Sequence, residues 1–418
     1  MLRRSLATQH TNSSFTESVL RLAAAVLVLA TVAWSQSTEK VLYKSLVGGN
    51  GSLFFDQQSN FYGTENNLTV FGGVYRLHHY LNGTWGFKVL YRFSGSDGAH
   101  PQAHPVLDSA GHLYGTTSQG GTNNNNEGTV FELTPTPSGF WTEKVLYNFQ
   151  LGPDGFEPSG GVVLDGGGNL YGTTFLGPHG TIYQLVPNAD GTWTHKVLYQ
   201  FTGGADGSNP LDDLVRDSAG NLYGATFDGG STGHGTIFEL SPESNGTWTF
   251  HLVYSLCSRA KCTDGTNGEE SATVTPDNHG NLYGTTPHGG QVPCDFYAEG
   301  CGVVFKLTHT TTGAWTYQRL HAFCSMAGCL DGSTPVGGVV LDAAGNVYGT
   351  TLSGGASRAG TLFRLSRVPG SPWTEDVLYS FCALPDCADG MGPLGNLVLD
   401  SAGNVFGTTP SVIFEVTP

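Results

Sequence analysis

The chain has 418 residues and a formal charge of −16, and only 12% of its residues are charged. This balance excludes nucleic acid and anionic membrane surfaces as partners, because phosphate recognition needs a basic stripe and the 18 lysines and arginines are few and scattered. A hydrophobic fraction of 39% excludes disorder, and the 61 glycines favour an all-β protein with many tight turns.

Residues 1–35 are typical of an export signal. Arginines precede the apolar run LAAAVLVLATVAW, which is too short to span a bilayer comfortably. Ala33 and Ser35 are small residues at the spacing that a signal peptidase requires, so we expect cleavage after Ser35, the alternative being an uncleaved anchor helix. We therefore predict a secreted, periplasmic or cell-surface protein with a mature chain at 36–418 and no membrane insertion after cleavage.

A repeat fills the rest of the chain. Its most regular feature is an aromatic residue before glycine, found in seven copies that are 52 to 65 positions apart. The copies are Tyr62, Tyr114, Tyr171, Tyr223, Tyr283, Tyr348 and Phe406. Each unit contains four runs with strand character, bounded by clusters of Gly, Asn, Asp and Pro. In the third unit these runs are GVVLD (161–165), NLYGTT (169–174), GTIYQLVP (180–187) and WTHKVLYQF (193–201).

Four strands per unit are typical of a propeller blade, with a solenoid as the main alternative. The segment STEKVLYKSL (37–46) is a fourth strand without the first three, whereas the last unit has three strands without a fourth. A ring that is closed by its first strand needs this offset, and a solenoid does not. We predict an all-β fold, a seven-bladed β-propeller of four-stranded blades whose N-terminal strand pairs with the last blade. Leu42 should then lie in the same sheet as Val412 and Phe414.

The turn motif DSAG and its copies join the first and second strands of each unit. Asp suits this turn because its side chain bonds nearby N–H groups, and Gly suits it because glycine adopts positive φ. We therefore interpret the seven aspartates as turn formers rather than as a ring of carboxylate ligands. They are Asp56, Asp108, Asp165, Asp217, Asp277, Asp342 and Asp400.

Two further repeated features predict packing. In YGTT we expect the glycine to let a neighbouring sheet approach closely and the aromatic residue to fill the gap between blades. Six tryptophans share one register at the start of the fourth strand, and this regularity favours packing over a ligand cage. They are Trp85, Trp141, Trp193, Trp248, Trp315 and Trp373.

All eight cysteines lie in the last three repeats. Three pairs have identical spacing at the same point of the unit, so we predict local disulfides and an oxidising compartment. Zinc is the alternative, and it is disfavoured because no histidine accompanies the pairs at finger-like spacing. The predicted pairs are Cys257 with Cys262, Cys294 with Cys301, Cys324 with Cys329, and Cys382 with Cys387.

Six units carry Asp-Gly before the first strand, usually with Pro four residues after the Asp. A ring of carboxylates at one channel mouth could hold calcium, but calcium needs about six to eight converging oxygens, and equal spacing around a ring opposes convergence. We interpret these aspartates as turn formers, with calcium ligation as the alternative, and expect no cofactor. They are Asp97, Asp154, Asp206, Asp264, Asp331 and Asp389.

Several submotifs recur in fixed order in most units: GNLYGTT, a Gly-rich stretch, GTVFELTP, WTEKVLYxF and DGxxP. This order resembles the GloVer tandem repeat of secreted bacterial proteins, often described as carrying a choice of anchor, and the likeness covers essentially all of 37–418. The resemblance implies export and a repeat architecture, and it implies no defined activity. Because the chain finishes at VIFEVTP, we expect none of the C-terminal anchors common in such proteins, which puts surface attachment in doubt.

The insertions gather in the loops that a propeller places on one face. These loops run from the second to the third strand and from a fourth strand to the next first strand. They include SQGGTNNNNEG (118–128), PHGGQVPCDFYAEGCG (287–302) and three loops with cysteines. We expect this face to bind a ligand, the alternative being the ordinary drift of surface loops.

Few residues break the repeat in a way that suggests catalysis. Glu269 and Glu270 are adjacent, so on a strand they would face opposite ways and could not act together as acid and base. His100 and His104 have no ligand spacing, and Arg216 is the remaining candidate. No GxSxG, HExxH or P-loop motif occurs. We interpret all five residues as solvated surface groups.

We therefore predict a secreted, monomeric, non-enzymatic binding module whose ligand is a carbohydrate or another protein. One alternative is an extracellular polysaccharide hydrolase or lyase that acts at the channel mouth. The other is a structural component of the cell envelope.

Overall fold

The computed structural model describes residues 37–44, 53–56, 60–66, 70–80, 82–122, 126–267, 272–290, 294, 300–310 and 313–418. Contacts divide the chain at Ser37, and Thr38–Pro418 forms one unit. The predicted signal peptide at 1–35 lies outside the described residues. Within those residues, no helix is long and apolar enough to cross a membrane.

The unit consists of seven antiparallel sheets, each with four strands, as the described residues define them. The first strand of the described residues, β1 (Thr38–Lys44), belongs to the last sheet. Blade 1 contains β2 (Phe54–Phe55), β3 (Asn60–Glu65), β4 (Gly73–His79) and β5 (Trp85–Arg92). Blade 2 contains β6 (Val106–Leu107), β7 (Leu113–Thr117), β8 (Thr129–Pro135) and β9 (Trp141–Asn148). Blade 3 contains β10 (Val163–Leu164), β11 (Leu170–Thr174), β12 (Thr181–Pro187) and β13 (Trp193–Gln200). Blade 4 contains β14 (Val215–Arg216), β15 (Leu222–Thr226), β16 (Thr236–Pro242) and β17 (Trp248–Ser255).

The remaining blades follow the same order. Blade 5 contains β18 (Thr273–Pro276), β19 (Asn281–Thr286), β20 (Val303–His309) and β21 (Trp315–Ala322). Blade 6 contains β22 (Val340–Leu341), β23 (Val347–Thr351), β24 (Thr361–Ser366) and β25 (Thr374–Ser380). Blade 7 contains β26 (Leu394–Leu399), β27 (Val405–Thr408), β28 (Val412–Thr417) and β1. Where the structure describes the loops, three short 3₁₀ turns lie at Ala260–Cys262, Ala327–Cys329 and Pro385–Cys387.

The ring is closed by the N-terminal strand, as the sequence predicts. Strand β1 pairs antiparallel with β28, with Val41 opposite Phe414 and Lys44 opposite Val412. Leu42 is buried in this strand. The seven-bladed propeller and its closure are therefore confirmed.

Among the described residues, seven hydrophobic clusters hold the ring together, and each cluster spans two neighbouring blades. The cluster between blades 7 and 1 joins Leu42 and Phe406 to Phe61, so the closing junction is packed like the other six. Tryptophans at the start of the fourth strands contribute to these junctions. For example, the ring of Trp193 in blade 3 lies 6.2 Å from that of Tyr114 in blade 2.

The glycine of YGTT makes room for an aromatic ring of its own sheet, not for the neighbouring sheet as expected. Gly115 pairs with Phe131 on the next strand, and a Cβ at Gly115 would lie 2.6 Å from Cζ of Phe131. The ring therefore lies flat over the glycine, and it meets Phe93 of blade 1 edge-on at 5.1 Å. Because the glycine has no side chain, the aromatic ring can lie across its own sheet. That ring then makes the close contact with the neighbouring blade.

The turn aspartates bind the turn and the second strand together. Oδ1 of Asp165 accepts hydrogen bonds from the N–H groups of Gly167 and Asn169 at 2.8 and 2.9 Å. Its Oδ2 accepts from the hydroxyl of Tyr171 at 3.0 Å. The repeated Asp and Tyr therefore stabilise the turn, because both carboxylate oxygens accept hydrogen bonds from the same blade.

The seven junctions between blades are of two kinds, set by one position of the fourth strand. At four junctions a ring at this position stacks on a tyrosine of the preceding blade, with centroids 4.2 to 4.8 Å apart. The stacked pairs are Tyr43 with Phe87, Tyr147 with His195, Tyr199 with Phe250, and Tyr254 with Tyr317. The other three junctions have a glutamate there: Glu39, Glu143 and Glu375.

Each of these glutamates has a buried Oε1 with no hydrogen-bond partner among the described residues. Burial, together with the charge of Asp97 in the preceding blade, raises the pKa of Glu143 to about 7. Burial and the charge of Asp389 raise the pKa of Glu39 to about 7, and burial, Asp331 and Asp376 raise that of Glu375 to about 8. These three junctions are therefore weakened when the glutamates ionise.

We predict that Glu143→Gln stabilises the protein at high pH and not at low pH. The pKa of Glu143 is about 7 in the folded chain and has an ordinary value of 4.5, so the folded state holds the proton more tightly. The cost of ionising Glu143 is absent below pH 4.5, grows as the pH rises, and is complete above about pH 7. The variant should unfold with a free energy higher by about 1 kcal/mol at pH 8.5 and unchanged at pH 4.

Urea unfolding at the two pH values measures this difference. The control is Glu243→Gln, which removes a carboxylate from an exposed turn. An equal effect of both variants, or a gain for Glu143→Gln that does not depend on pH, would contradict the prediction.

Candidate functional site

One face of the propeller carries nearly all of the variation in loop length. The turns from third to fourth strand on the opposite face are short, as at residues 136–140 and 243–247. On the varied face, the loop between β19 and β20 covers residues 287–302, and the loop between β7 and β8 covers 118–128. We call the varied side, formed by the second-to-third and fourth-to-first connections, the loop face.

Four disulfides lie on the loop face, in the pairs that the sequence predicts. They are Cys257–Cys262, Cys294–Cys301, Cys324–Cys329 and Cys382–Cys387. Three of them close the fourth-to-first connections that follow blades 4, 5 and 6, and each of these contains one of the 3₁₀ turns. Short covalent rings thus fix the shape of three neighbouring loops.

The Asp-Gly aspartates lie beneath these loops and bind their backbone. Asp264, Asp331 and Asp389 are fully buried. Asp389 accepts hydrogen bonds from the N–H of Ala383 at 2.8 Å and from the hydroxyl of Tyr379 at 2.7 Å. Although burial acts in the other direction, the hydrogen bonds from Tyr379 and from the loop hold the pKa of Asp389 below its usual value.

The same arrangement recurs at other Asp-Gly positions. The hydroxyls of Tyr91, Tyr147 and Tyr199 donate to Asp97, Asp154 and Asp206, respectively, at 2.7 to 3.0 Å. Two groups of three His, Cys, Asp or Glu side chains in the described residues are close enough to share a metal ion, and both contain disulfide sulfurs. The Asp-Gly aspartates belong to neither group.

Exposed apolar side chains are concentrated on the loop face. Seven of the twelve large hydrophobic residues exposed in the described chain lie in its connections. They are Val70, Phe71, Leu151, Met326, Leu330, Leu384 and Met391. Because the disulfides and buried aspartates hold these loops, several of the apolar side chains stand in fixed positions.

A central channel with a cavity volume of about 1030 Å³ opens between the blades. The first strands of all seven blades line it, and their side chains are mostly valine and leucine. Each first strand runs away from the loop face, so residues just before it surround the channel mouth on that face. Polar side chains gather at this mouth: Asn66, Gln102, His104, Asp212, Asp213 and Asn396.

His104 and Asp213 form a specific pair at the mouth. Nδ1 of His104 lies 3.3 Å from Oδ2 of Asp213, and the N–H of Gly161 donates to Oδ1 of Asp213. His104 belongs to blade 2, Gly161 to blade 3 and Asp213 to blade 4, so the pair spans the edge of the intervening blade. A Cβ at Gly161 would lie 3.1 Å from Asp213 Oδ1, so glycine leaves room for the contact.

A related contact joins blades 6 and 7. The N–H of Gly338 donates to Oδ1 of Asn396 at 2.9 Å, as the N–H of Gly161 donates to Asp213. Asp213 lies just before the first strand of blade 4 and Asn396 lies within that of blade 7, and each acceptor binds the backbone of the preceding blade. The mouth is therefore bordered by side chains fixed across the junctions.

The structure separates the five residues that break the repeat. His104 lies at the channel mouth, whereas His100 lies in the connection between blades 1 and 2, where its N–H donates to the carbonyl of Phe71 in blade 1. Arg216 is exposed at the far end of its first strand. Glu269 and Glu270 lie outside the described residues. His104 was wrongly interpreted as a solvated surface group, because its partner comes from a blade two units away.

Burial would raise the pKa of Asp213, but the contact with His104 and the hydrogen bond from Gly161 hold it below the usual value. The carboxylate is thus ionised at neutral pH. An ionised acceptor beside an imidazole nitrogen fixes the orientation of that ring. The mouth can accordingly offer a carboxylate, an imidazole and amides to a ligand that rests against apolar walls.

These features define a seven-bladed propeller with one elaborated face over a polar channel mouth. The sequence profile of the Gloeobacter/Verrucomicrobia repeat matches residues 48–292 and 176–412. The chain therefore belongs to this repeat family. Among curated protein sequences, none matches the chain significantly.

Solved structures resemble the chain at low identity. The extracellular domain of a putative one-component system from B. thetaiotaomicron is 12% identical with a TM-score of 0.55, and the match covers 92% of this chain and 40% of that one. A protein from Lactobacillus plantarum is 14% identical with a TM-score of 0.51, over 88% of both chains. An ancestral GH74 enzyme is 11% identical with a TM-score of 0.54, over 91% of this chain and 48% of that one. The likeness concerns the fold, and the chain spans less than half of the first and third of these proteins.

We predict that Asp213→Asn destabilises the fold at neutral pH, by about 1–3 kcal/mol, because the amide is a weaker acceptor for Gly161 and His104. A carboxylate whose folded pKa is lowered stabilises the fold above its ordinary value of 3.8, and this contribution is lost as the pH falls further. The difference from wild type should thus shrink below pH 3.8.

Chemical unfolding between pH 3 and pH 7 measures this difference. Asp376→Asn is the matched control, because Asp376 pairs with Arg364 at 2.9 Å on the surface and is half exposed. Surface pairs contribute little, so the control should change stability by less than about 1 kcal/mol. Equal losses in the two variants would mean that the pair at the mouth has no special role.

Proposed function

We propose that the protein is a secreted, non-enzymatic binding module that recognises a carbohydrate or a surface protein through its loop face. One observation carries this proposal. The disulfide loops, the exposed apolar side chains and the polar channel mouth all lie on the same side of the ring. Surfaces that combine fixed apolar side chains with a few polar groups are suited to recognition.

The proposed location outside the cytoplasm is supported by the cysteines. All four disulfides are formed, and no described cysteine is free. Disulfides persist in oxidising compartments and are rare in the cytosol. Together with the export signal predicted at 1–35, this supports a secreted, periplasmic or cell-surface protein.

A second function, hydrolysis or elimination of a polysaccharide, is favoured by one specific observation. An aspartate beside Nδ1 of a histidine is the arrangement that fixes the tautomer of a catalytic base. His104 and Asp213 have this arrangement at the channel mouth. The binding function is preferred because the loop face extends well beyond this pair.

The functions are distinguished by incubating the purified protein with a panel of soluble polysaccharides and measuring both binding and release of reducing or unsaturated ends. Binding without products supports the proposal. Products that disappear in His104→Gln support the second function. If neither binding nor products are found with polysaccharides or with extracts of surface proteins, the proposed function is contradicted and a structural envelope component is favoured.

We further predict that Leu384→Asp weakens binding to the polysaccharide or protein identified in this way by at least about tenfold, because it places a charge among the exposed apolar side chains. The matched control is Val368→Asp in a turn on the opposite face, since Leu384 is 48% exposed and Val368 is 71% exposed. Both variants should keep the melting temperature of the wild type. Equal affinities of the two variants would place recognition elsewhere.

A further inference from the structure

The four cysteines of blade 5 lie together, unlike the two other pairs. Cys301 and Cys324 are buried in the hydrophobic cluster between blades 5 and 6, and Cys294 and Cys329 are partly buried against the same cluster. One disulfide closes the loop between β19 and β20, and the other closes the loop after β21. Two disulfides from different loops thus share one site.

The sulfurs of these two disulfides are in direct contact. Sγ of Cys301 contacts Sγ of Cys324, although the two atoms belong to different disulfides. Sγ of Cys294 also lies within 4.8 Å of both. Among the described residues, no third cysteine sulfur lies this close to Cys257 and Cys262 or to the pair at 382 and 387.

The backbone keeps Cys301 and Cys324 side by side independently of their disulfides. The N–H of Phe323, next to Cys324, donates to the carbonyl of Gly302, next to Cys301, at 3.0 Å. The carbonyl of Cys301 also accepts from the N–H of Thr334 at 2.8 Å. These bonds belong to the blade framework, so the two sulfurs remain neighbours when either disulfide opens.

The loop of Cys324 and Cys329 has an unfavourable backbone. Cys324 has φ of 58° and Cys329 has φ of 54°, a region that residues with a Cβ rarely adopt. The matching cysteines 257, 262, 382 and 387 have φ between 47° and 59°. All three loops therefore gain freedom when their disulfides open, and what distinguishes blade 5 is the additional sulfur pair.

We propose that the cysteines of blade 5 form a thiol–disulfide exchange site that takes a dithiol as its substrate. A thiolate of the dithiol attacks Sγ of Cys294, breaks the Cys294–Cys301 bond and releases the Cys301 thiolate. This thiolate attacks Sγ of Cys324, forms a Cys301–Cys324 bond and releases the Cys329 thiolate. The second thiol of the dithiol then frees Cys294 and leaves as part of a cyclic disulfide.

The exchange is balanced in atoms and electrons. Two electrons pass from the dithiol to the protein, which ends with one disulfide fewer, and the two thiol protons of the dithiol end on Cys294 and Cys329. The new bond joins the two loops inside the cluster, and the loop that carries Met326 is released from its covalent ring. Reduction of blade 5 thus changes the shape of the loop face without unfolding the blade.

The test is a titration of the folded protein with reduced dithiothreitol at pH 8, followed by acid quenching, alkylation of free thiols and mapping of the remaining disulfides in peptic fragments. We expect a Cys301–Cys324 cross-link with alkylated Cys294 and Cys329 in partly reduced protein. The pairs 257/262 and 382/387 serve as internal controls and should yield only pairwise thiols. Loss of all four disulfides without any Cys301–Cys324 cross-link would overturn the proposal.

A pair of variants tests the exchange without a reductant. In Cys294→Ser, Cys301 has no partner, so it should bond to Cys324 and shift the free thiol to Cys329 in most molecules. In the control Cys257→Ser, which has no third sulfur nearby, the free thiol should stay on Cys262. If the thiol of Cys294→Ser stays on Cys301 in protein that shows the wild-type circular dichroism spectrum, the proposal fails.

Discussion

The structure depends on one steric constraint, the missing Cβ of the glycine in YGTT. In every blade this glycine pairs with an aromatic residue of the third strand, and a Cβ there would collide with the ring. The ring consequently lies across the strand. In blades 2, 3, 4, 6 and 7 it meets a phenylalanine of the preceding blade, with centroids 4.9 to 5.3 Å apart. The same small residue beside the same kind of large residue thus recurs in all seven blades and gives them a common packing surface.

Because the junctions are built alike, differences between them carry information. The repeated Asp, Tyr, Gly and Trp residues make hydrogen bonds or packing contacts within and between blades, so they determine the fold. What varies is the residue at a few register positions, such as the glutamates at three junctions and the polar side chains at the channel mouth. The pair of His104 and Asp213 is one such variation, and it is possible because Gly161 occupies the corresponding position of the blade between them.

The sequence predicts the fold well because a propeller is specified by patterns that lie within one unit. The count of units, the closing strand, the local disulfides and the varied face all follow from comparing successive copies. The contact of His104 with Asp213 was missed because it joins units that are not adjacent. An alignment of the copies would have indicated this contact. At the same position of the unit, blades 3 and 6 have Gly161 and Gly338, whereas blades 4 and 7 have Asp213 and Asn396. The acidic junctions were missed because their Glu and Asp come from different blades and face each other only after packing.

The role of the YGTT glycine was also predicted only in part. Its sequence position indicates close packing, but the partner is the ring opposite it in the same sheet, and the neighbouring blade is reached through that ring. This distinction depends on strand register, which places Gly115 opposite Phe131. The match to the repeat family agrees with the repetition seen in the sequence, and the comparison with solved structures agrees with the fold.

A double-mutant cycle of Gly115→Ala and Phe131→Leu tests the steric constraint most directly. The control is Gly166→Ala, because no atom lies within 4 Å of a Cβ at Gly166. Urea unfolding should show that Gly115→Ala loses about 1–3 kcal/mol, that Gly166→Ala loses almost nothing, and that the double variant loses less than the sum of its single changes by about 1 kcal/mol or more. If Gly115→Ala is as stable as Gly166→Ala, or if the losses in the cycle are strictly additive, then the ring over the glycine does not determine the packing of the blades.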